Sequence, residues 1–152
     1  RVAAACGLTM AQLHGTEGPD ACERVDVPVV KAFRVKDDPR PALQAYAGKV
    51  SGFLLDTYVD DVVGGTGKTF DWDLAVQAKA FGRIILAGGI TPDNVSEAVA
   101  RVRPYGIDVS SGVEVGPGRK DRDKMERLHR AVVETDSGLE TSVYGDAAGR
   151  VP

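Results

Sequence analysis

The residues of this 152-residue chain that could do chemistry fall into a few short blocks. Asp56 closes an apolar run at 53–55 (FLL) and is followed by Gly64, Gly65 and Gly67, with a helix start near Asp71. An acid at the end of a buried strand, facing free backbone amides, is a reactive arrangement: a titratable group beside donors that accept anions. The alternative is that Asp56 merely ends a strand and the glycines form a turn. Two further blocks, Ala87-Gly88-Gly89 and Ser110-Ser111-Gly112, each end a strand in small residues just before a helix start. In succession they would turn backbone amides and positive helix ends towards one point, as a phosphate site requires. The segment Gly67-Lys68-Thr69 is reminiscent of a P-loop, but the glycine needed five residues before Gly67 is Val62, so that match fails.

The elements that must position these blocks alternate strictly. A helix end running through Gly7 leads into a strand at 10–14, which carries His14 at its end. A short helix to about Asp26, a strand at 29–35 (VVKAFRV), and a helix capped by Asp38 with Pro39 at its first position follow. Strand three is 52–57, a helix spans 71–81, and strand four is 83–87. Thr91-Pro92-Asp93-Asn94 caps a helix whose Val95, Ala98, Val99 and Val102 share one buried face. Strand five is 106–109. The last helix starts near Lys120, with Met125, Leu128, Val132 and Val133 on one face and a solvated charged surface opposite. Near-continuous apolar strands in βα alternation predict a parallel sheet covered on both faces, either doubly wound or of the (β/α)8 barrel type. In both, function sits on the loops after the strands, where these blocks fall.

With 43% hydrophobic and 27% charged residues, the chain is one globular domain's worth of sequence. A net charge of -3, with basic and acidic residues interspersed, gives no footprint for nucleic acid or an anionic membrane. No apolar run reaches the roughly 18 residues of a membrane span. The expected location is cytoplasmic. Cys6 and Cys22 have neither CxxC spacing nor histidine partners at metal-ligand distances, so no metal site and reduced thiols are expected.

QLHG (12–15), FLLD (53–56), GGTGKTFDW (64–72), LAGGITPDNV (86–95) and DVSSGVE (108–114) stand in an order and at separations that resemble phosphoribosylanthranilate isomerase of tryptophan biosynthesis. The resemblance covers about residues 8–133. It implies a partial (β/α)8 TIM barrel of five consecutive βα units, units four to eight, and an Amadori rearrangement of an aminoaldose phosphosugar to an aminoketose without cofactor or metal. Asp56 matches the family's general acid, which needs a pKa raised by burial or a nearby negative charge to act near neutral pH. His14 and Asp108 would contact substrate, and Gly88, Gly89, Ser110, Ser111 and Gly112 would hold its phosphate. Lys31 and Arg34 could also line the site, with a structural ion pair expected for at least one.

One departure accompanies the resemblance. The family's general base is a cysteine on the first strand, in a motif like KICGLT; here CGLT (6–9) stands directly before QLHG, so Cys6 belongs to a helix end on the face opposite the site. The expectation is therefore a fragment lacking three units and the base, with a non-catalytic phosphosugar-binding half barrel as the competing reading. Residues 1–133 would form the barrel part. Residues 134–152 read as a polar tail, either disordered or a linker to a fused tryptophan-pathway domain. Five strands should form an open curved sheet with two unpaired edges, apolar inward side chains left exposed, and a tendency to dimerise or aggregate.

Overall fold

The structure is a computed structural model describing residues 2–57 and 69–145. The glycines Gly64, Gly65 and Gly67, with Lys68, lie outside the described residues.

Five parallel strands form one sheet in sequential order: β1 (Ala11–Leu13), β2 (Val29–Val35), β3 (Gly52–Thr57), β4 (Ile84–Leu86) and β5 (Gly106–Ile107). The order reflects the short βα connections, and it leaves β1 and β5 as the edges. Helices α1 (Val2–Ala5), α2 (Pro19–Glu23), α3 (Arg40–Gln44), α4 (Trp72–Ala78), α5 (Val95–Val102) and α6 (Arg122–Gly145) supply the crossovers and flanks. Strands β4 and β5 are shorter than the sequence suggests, yet the ladder extends past them. Tyr105 donates its amide to the Ile84 carbonyl at 2.7 Å, and Asp108 donates to Leu86 at 2.9 Å.

The alternation of each strand separates two apolar clusters. One face packs Val35, Phe53, Leu55, Ile84 and Leu86 against helix residues Leu43, Trp72, Ala75, Val95, Ala98, Val99 and Val102. The four α5 residues are those the sequence places on one face, and all are buried. The opposite face holds Val30, Ala32, Leu54 and Ala87 in a smaller cluster. Exposed apolar surface was expected there, but these side chains are 5% exposed or less. They pack against one another and against the partly buried Ile85.

Helix α6 departs most from expectation. It starts at Arg122 and continues through residue 133 to Gly145, across the polar stretch. Leu128, Ala131, Val132 and Leu139 face the core, whereas Met125 and Val133 are each 48% exposed. The partly buried stripe runs i, i+3, i+4, i+11, so Leu139 carries the apolar face beyond 133. Between β5 and α6 stands a hairpin absent from the sequence reading, β6 (Glu114–Gly116) and β7 (Arg119–Lys120). Pro117-Gly118 turns it, the residue pair that favours a type II turn.

Candidate active site

The ends of β1, β3, β4 and β5 open on a cavity of about 270 Å³. Gln12 and His14 enter from β1, Leu54 and Asp56 from β3, Ala87 to Ile90 from the loop after β4, and Asp108 to Gly112 from the loop after β5. The residues expected to act on or hold the substrate, namely His14, Asp56, Gly88, Gly89, Asp108, Ser110, Ser111 and Gly112, all line this cavity, whereas Lys31 and Arg34 do not. Sequence reasoning did not single out Gln12, Leu54, Ile90 or Val109 as lining residues; Gln12 was legible as the residue two before His14, hence on the same strand face.

Asp56 is half-buried near the end of β3, in register with Arg34 on β2. Burial pushes its carboxyl above the ordinary aspartate value; the charges of His14 and Arg34 pull it back, and Asp108 pushes it further up. Partial removal from water outweighs the cationic neighbours, so Asp56 keeps its proton to higher pH than a surface aspartate. Thr57, next in sequence, ties the rim together: its hydroxyl donates to the Gly88 carbonyl at 3.2 Å and accepts from the Phe70 amide at 3.2 Å.

The two glycine loops are held against this rim. Gly88 has φ +77, and a Cβ there would collide with the Thr57 backbone nitrogen and the Asp56 carboxylate, so the chain can approach the acid only as glycine. Gly112 packs on the Ile90 carbonyl, leaving no room for a Cβ, which brings the loop after β5 into contact with the loop after β4. Asn94 fixes the latter: its Oδ1 accepts from the Thr91 amide at 2.8 Å and its Nδ2 donates to the Gly89 carbonyl at 2.9 Å. The expected helix start after Ser110-Ser111-Gly112 is instead a three-residue 3₁₀ turn leading into the β6–β7 hairpin. That loop offers amides without a long helix behind it, whereas α5 follows the Gly88-Gly89 loop.

Lys31 is on the other face of β2 from Arg34. It is 2% exposed, donates to the Gly15 carbonyl at 2.8 Å and pairs with Glu17 at 3.3 Å, the structural ion pair expected of one of the two. Arg34 is exposed and close enough for its charge to act on Asp56. Cys6 is exposed in the turn before β1, at the end of the sheet away from the cavity. Among the described residues no group of three His, Cys, Asp or Glu side chains is arranged to hold a metal, and no helix is long and apolar enough to cross a membrane.

The family model for N-(5'-phosphoribosyl)anthranilate (PRA) isomerase matches residues 1–131. The chain belongs to that family. A PRA isomerase of Citrifermentans bemidjiense is 57% identical over 129 residues, covering 84% of this chain and 62% of the relative. The crystal structure of the Thermotoga maritima family member superposes with a TM-score of 0.76 at 37% identity, covering 88% of this chain and 65% of that one. A second PRA isomerase crystal structure, in complex with reduced 1-(o-carboxyphenylamino)-1-deoxyribulose 5-phosphate, has a TM-score of 0.72 at 34% identity, with 88% of this chain and 63% of that one covered. This chain thus spans about six tenths of the length of the curated relatives it matches.

Proposed function

We propose that this chain carries the general acid and the phosphate cradle of a cytoplasmic PRA isomerase. The reaction is the rearrangement of N-(5'-phosphoribosyl)anthranilate to 1-(2-carboxyphenylamino)-1-deoxyribulose 5-phosphate. The observation that carries the reading is that one small cavity holds both a carboxyl with a raised pKa and two contiguous glycine loops. Protonated Asp56 gives its proton to the ribose ring oxygen as the bond from that oxygen to the anomeric carbon breaks, and the nitrogen lone pair forms the iminium. A base then takes the proton from the neighbouring sugar carbon, giving an enaminol that tautomerises to the aminoketose. Proton transfers balance within the substrate and need no redox partner.

In this proposal the amides after β4 and β5 hold the phosphate. His14 and Asp108 contact the sugar and its anthranilate substituent, and the charge of Asp108 adds a smaller push to the burial that keeps Asp56 protonated. No cysteine lines the cavity among the described residues. The base is therefore assigned, by the same family resemblance, to a cysteine on a strand beyond the five described here. The cavity, below the roughly 300–1,000 Å³ of a complete small-molecule site, takes the phosphosugar part of the substrate.

The test is a calorimetric titration of this chain with the reduced product analogue, beside an isomerase assay of the same preparation. Analogue binding displaced by inorganic phosphate is the expected result, with no measurable turnover by residues 1–152 alone. Failure to bind the analogue contradicts the cradle; turnover by this chain contradicts the placement of the base elsewhere.

A further inference from the structure

The β6–β7 hairpin places an ion pair directly behind the loop after β5. Lys120 Nζ donates to the Ser110 carbonyl at 2.9 Å and to the Glu114 carboxylate at 2.8 Å, and stands 3.5 Å from the Ser110 hydroxyl. Glu114 is only 13% exposed, and Lys120 holds its carboxyl below the usual glutamate range. Glu114 is itself fixed: its other oxygen accepts from the Gly118 amide at 3.2 Å, and its carbonyl accepts from Lys124 Nζ at 2.7 Å. The hairpin is anchored where the Asp121 amide donates to the Val113 carbonyl at 2.7 Å. Neither Lys120 nor Glu114 lines the cavity.

We propose that Lys120, held by Glu114, is a positioning residue that sets the loop Ser110-Ser111-Gly112 for binding a phosphate monoester. The lever is the planarity of the 110–111 peptide. Among the described residues no peptide is cis, so the Ser111 N–H points opposite to the Ser110 carbonyl. Lys120 takes that carbonyl from outside the cavity, which turns the Ser111 N–H to the cavity side. With ψ at -87°, Ser110 lies outside both the helical and the extended regions, and within the loop its carbonyl accepts only a long 3.4 Å bond from the Val113 amide, so the shorter bond from Lys120 is the stronger hold on it. The lysine also adds a positive charge behind the site, partly offset by Glu114. The proposal rests on reading this loop as the phosphate cradle.

The experiment titrates the full chain and its variants with three probes: inorganic phosphate, reduced 1-(o-carboxyphenylamino)-1-deoxyribulose 5-phosphate, and the same analogue without its phosphate. Lys120→Met should weaken binding of both phosphate-bearing probes about tenfold, the loss expected for one charge-assisted hydrogen bond, while the dephosphorylated analogue binds as before. Lys120→Arg should restore most of the loss, and Glu114→Gln, which frees Lys120 but keeps its bond to Ser110, should fall between. The proposal is overturned if Lys120→Met binds phosphate as the parent does, if all three probes weaken together, or if the parent chain binds no phosphate. Should the parent bind phosphate with the predicted Lys120 dependence but gain nothing from the rest of the analogue, the positioning role stands and the isomerase reading falls.

Discussion

Asp56 concentrates the account at the scale of one residue, because its environment makes opposing demands. Burial favours the neutral form, His14 and Arg34 favour the charged one, and burial wins. A carboxyl whose pKa rises on folding stabilises the folded state while protonated. That contribution is complete below the ordinary aspartate value and is lost as pH rises through the raised one. Asp56→Asn never ionises, so the melting temperature of the variant relative to the parent should climb as the pH rises above the ordinary aspartate value. A difference that stays flat or shrinks over that range would mean that Asp56 is not held protonated by its surroundings. Its position was legible because an acid directly follows the apolar run Phe53-Leu54-Leu55. The sequence left open which of Lys31 and Arg34 would stand by the acid, because that depends on the register pairing Arg34 with Asp56 across two strands.

At the scale of elements, the segments dictated by local chemistry matched their sequence boundaries best. Strand β2 is apolar apart from Lys31 and Arg34, β3 carries the run Phe53-Leu54-Leu55, and α5 has a four-residue buried stripe behind Asn94, whose side chain also holds the Gly89 loop. The hairpin at 114–120 was missed because its strands, EVG and RK, are too short and too polar to show alternation. The extent of α6 was missed because, among the described side chains beyond Val133, one distant leucine, Leu139, and not a dense apolar pattern packs against the core. Leu139→Ala should therefore lower stability by about 1–2 kcal/mol, less than a fully buried leucine deletion. Val133→Ala, on the exposed side, should stay within about 0.5 kcal/mol. Chemical denaturation of the two variants decides this. Equal effects would place residues 134–139 outside the cooperative unit.

At the scale of the whole molecule, the parallel order β1-β2-β3-β4-β5 with its two edges was legible from the βα alternation, and the family match over residues 1–131 agrees with it. The packing of the inward face was not. Val30, Ala32, Leu54 and Ala87 come from β2, β3 and the loop after β4, so their packing into one cluster is encoded by no single segment. The fold brings the ends of four strands to one rim, so the acid from β3 and the loops after β4 and β5 converge although 32 residues of sequence separate Asp56 from Gly88. The most direct measurement joins this chain to the part of the Citrifermentans bemidjiense relative that it does not cover and follows conversion of phosphoribosylanthranilate with Asp56 present or replaced by Asn. The account predicts turnover by the joined protein, a fall of about 10²- to 10⁴-fold for Asp56→Asn, and unchanged binding of the reduced product analogue; equal turnover by the two proteins would contradict it.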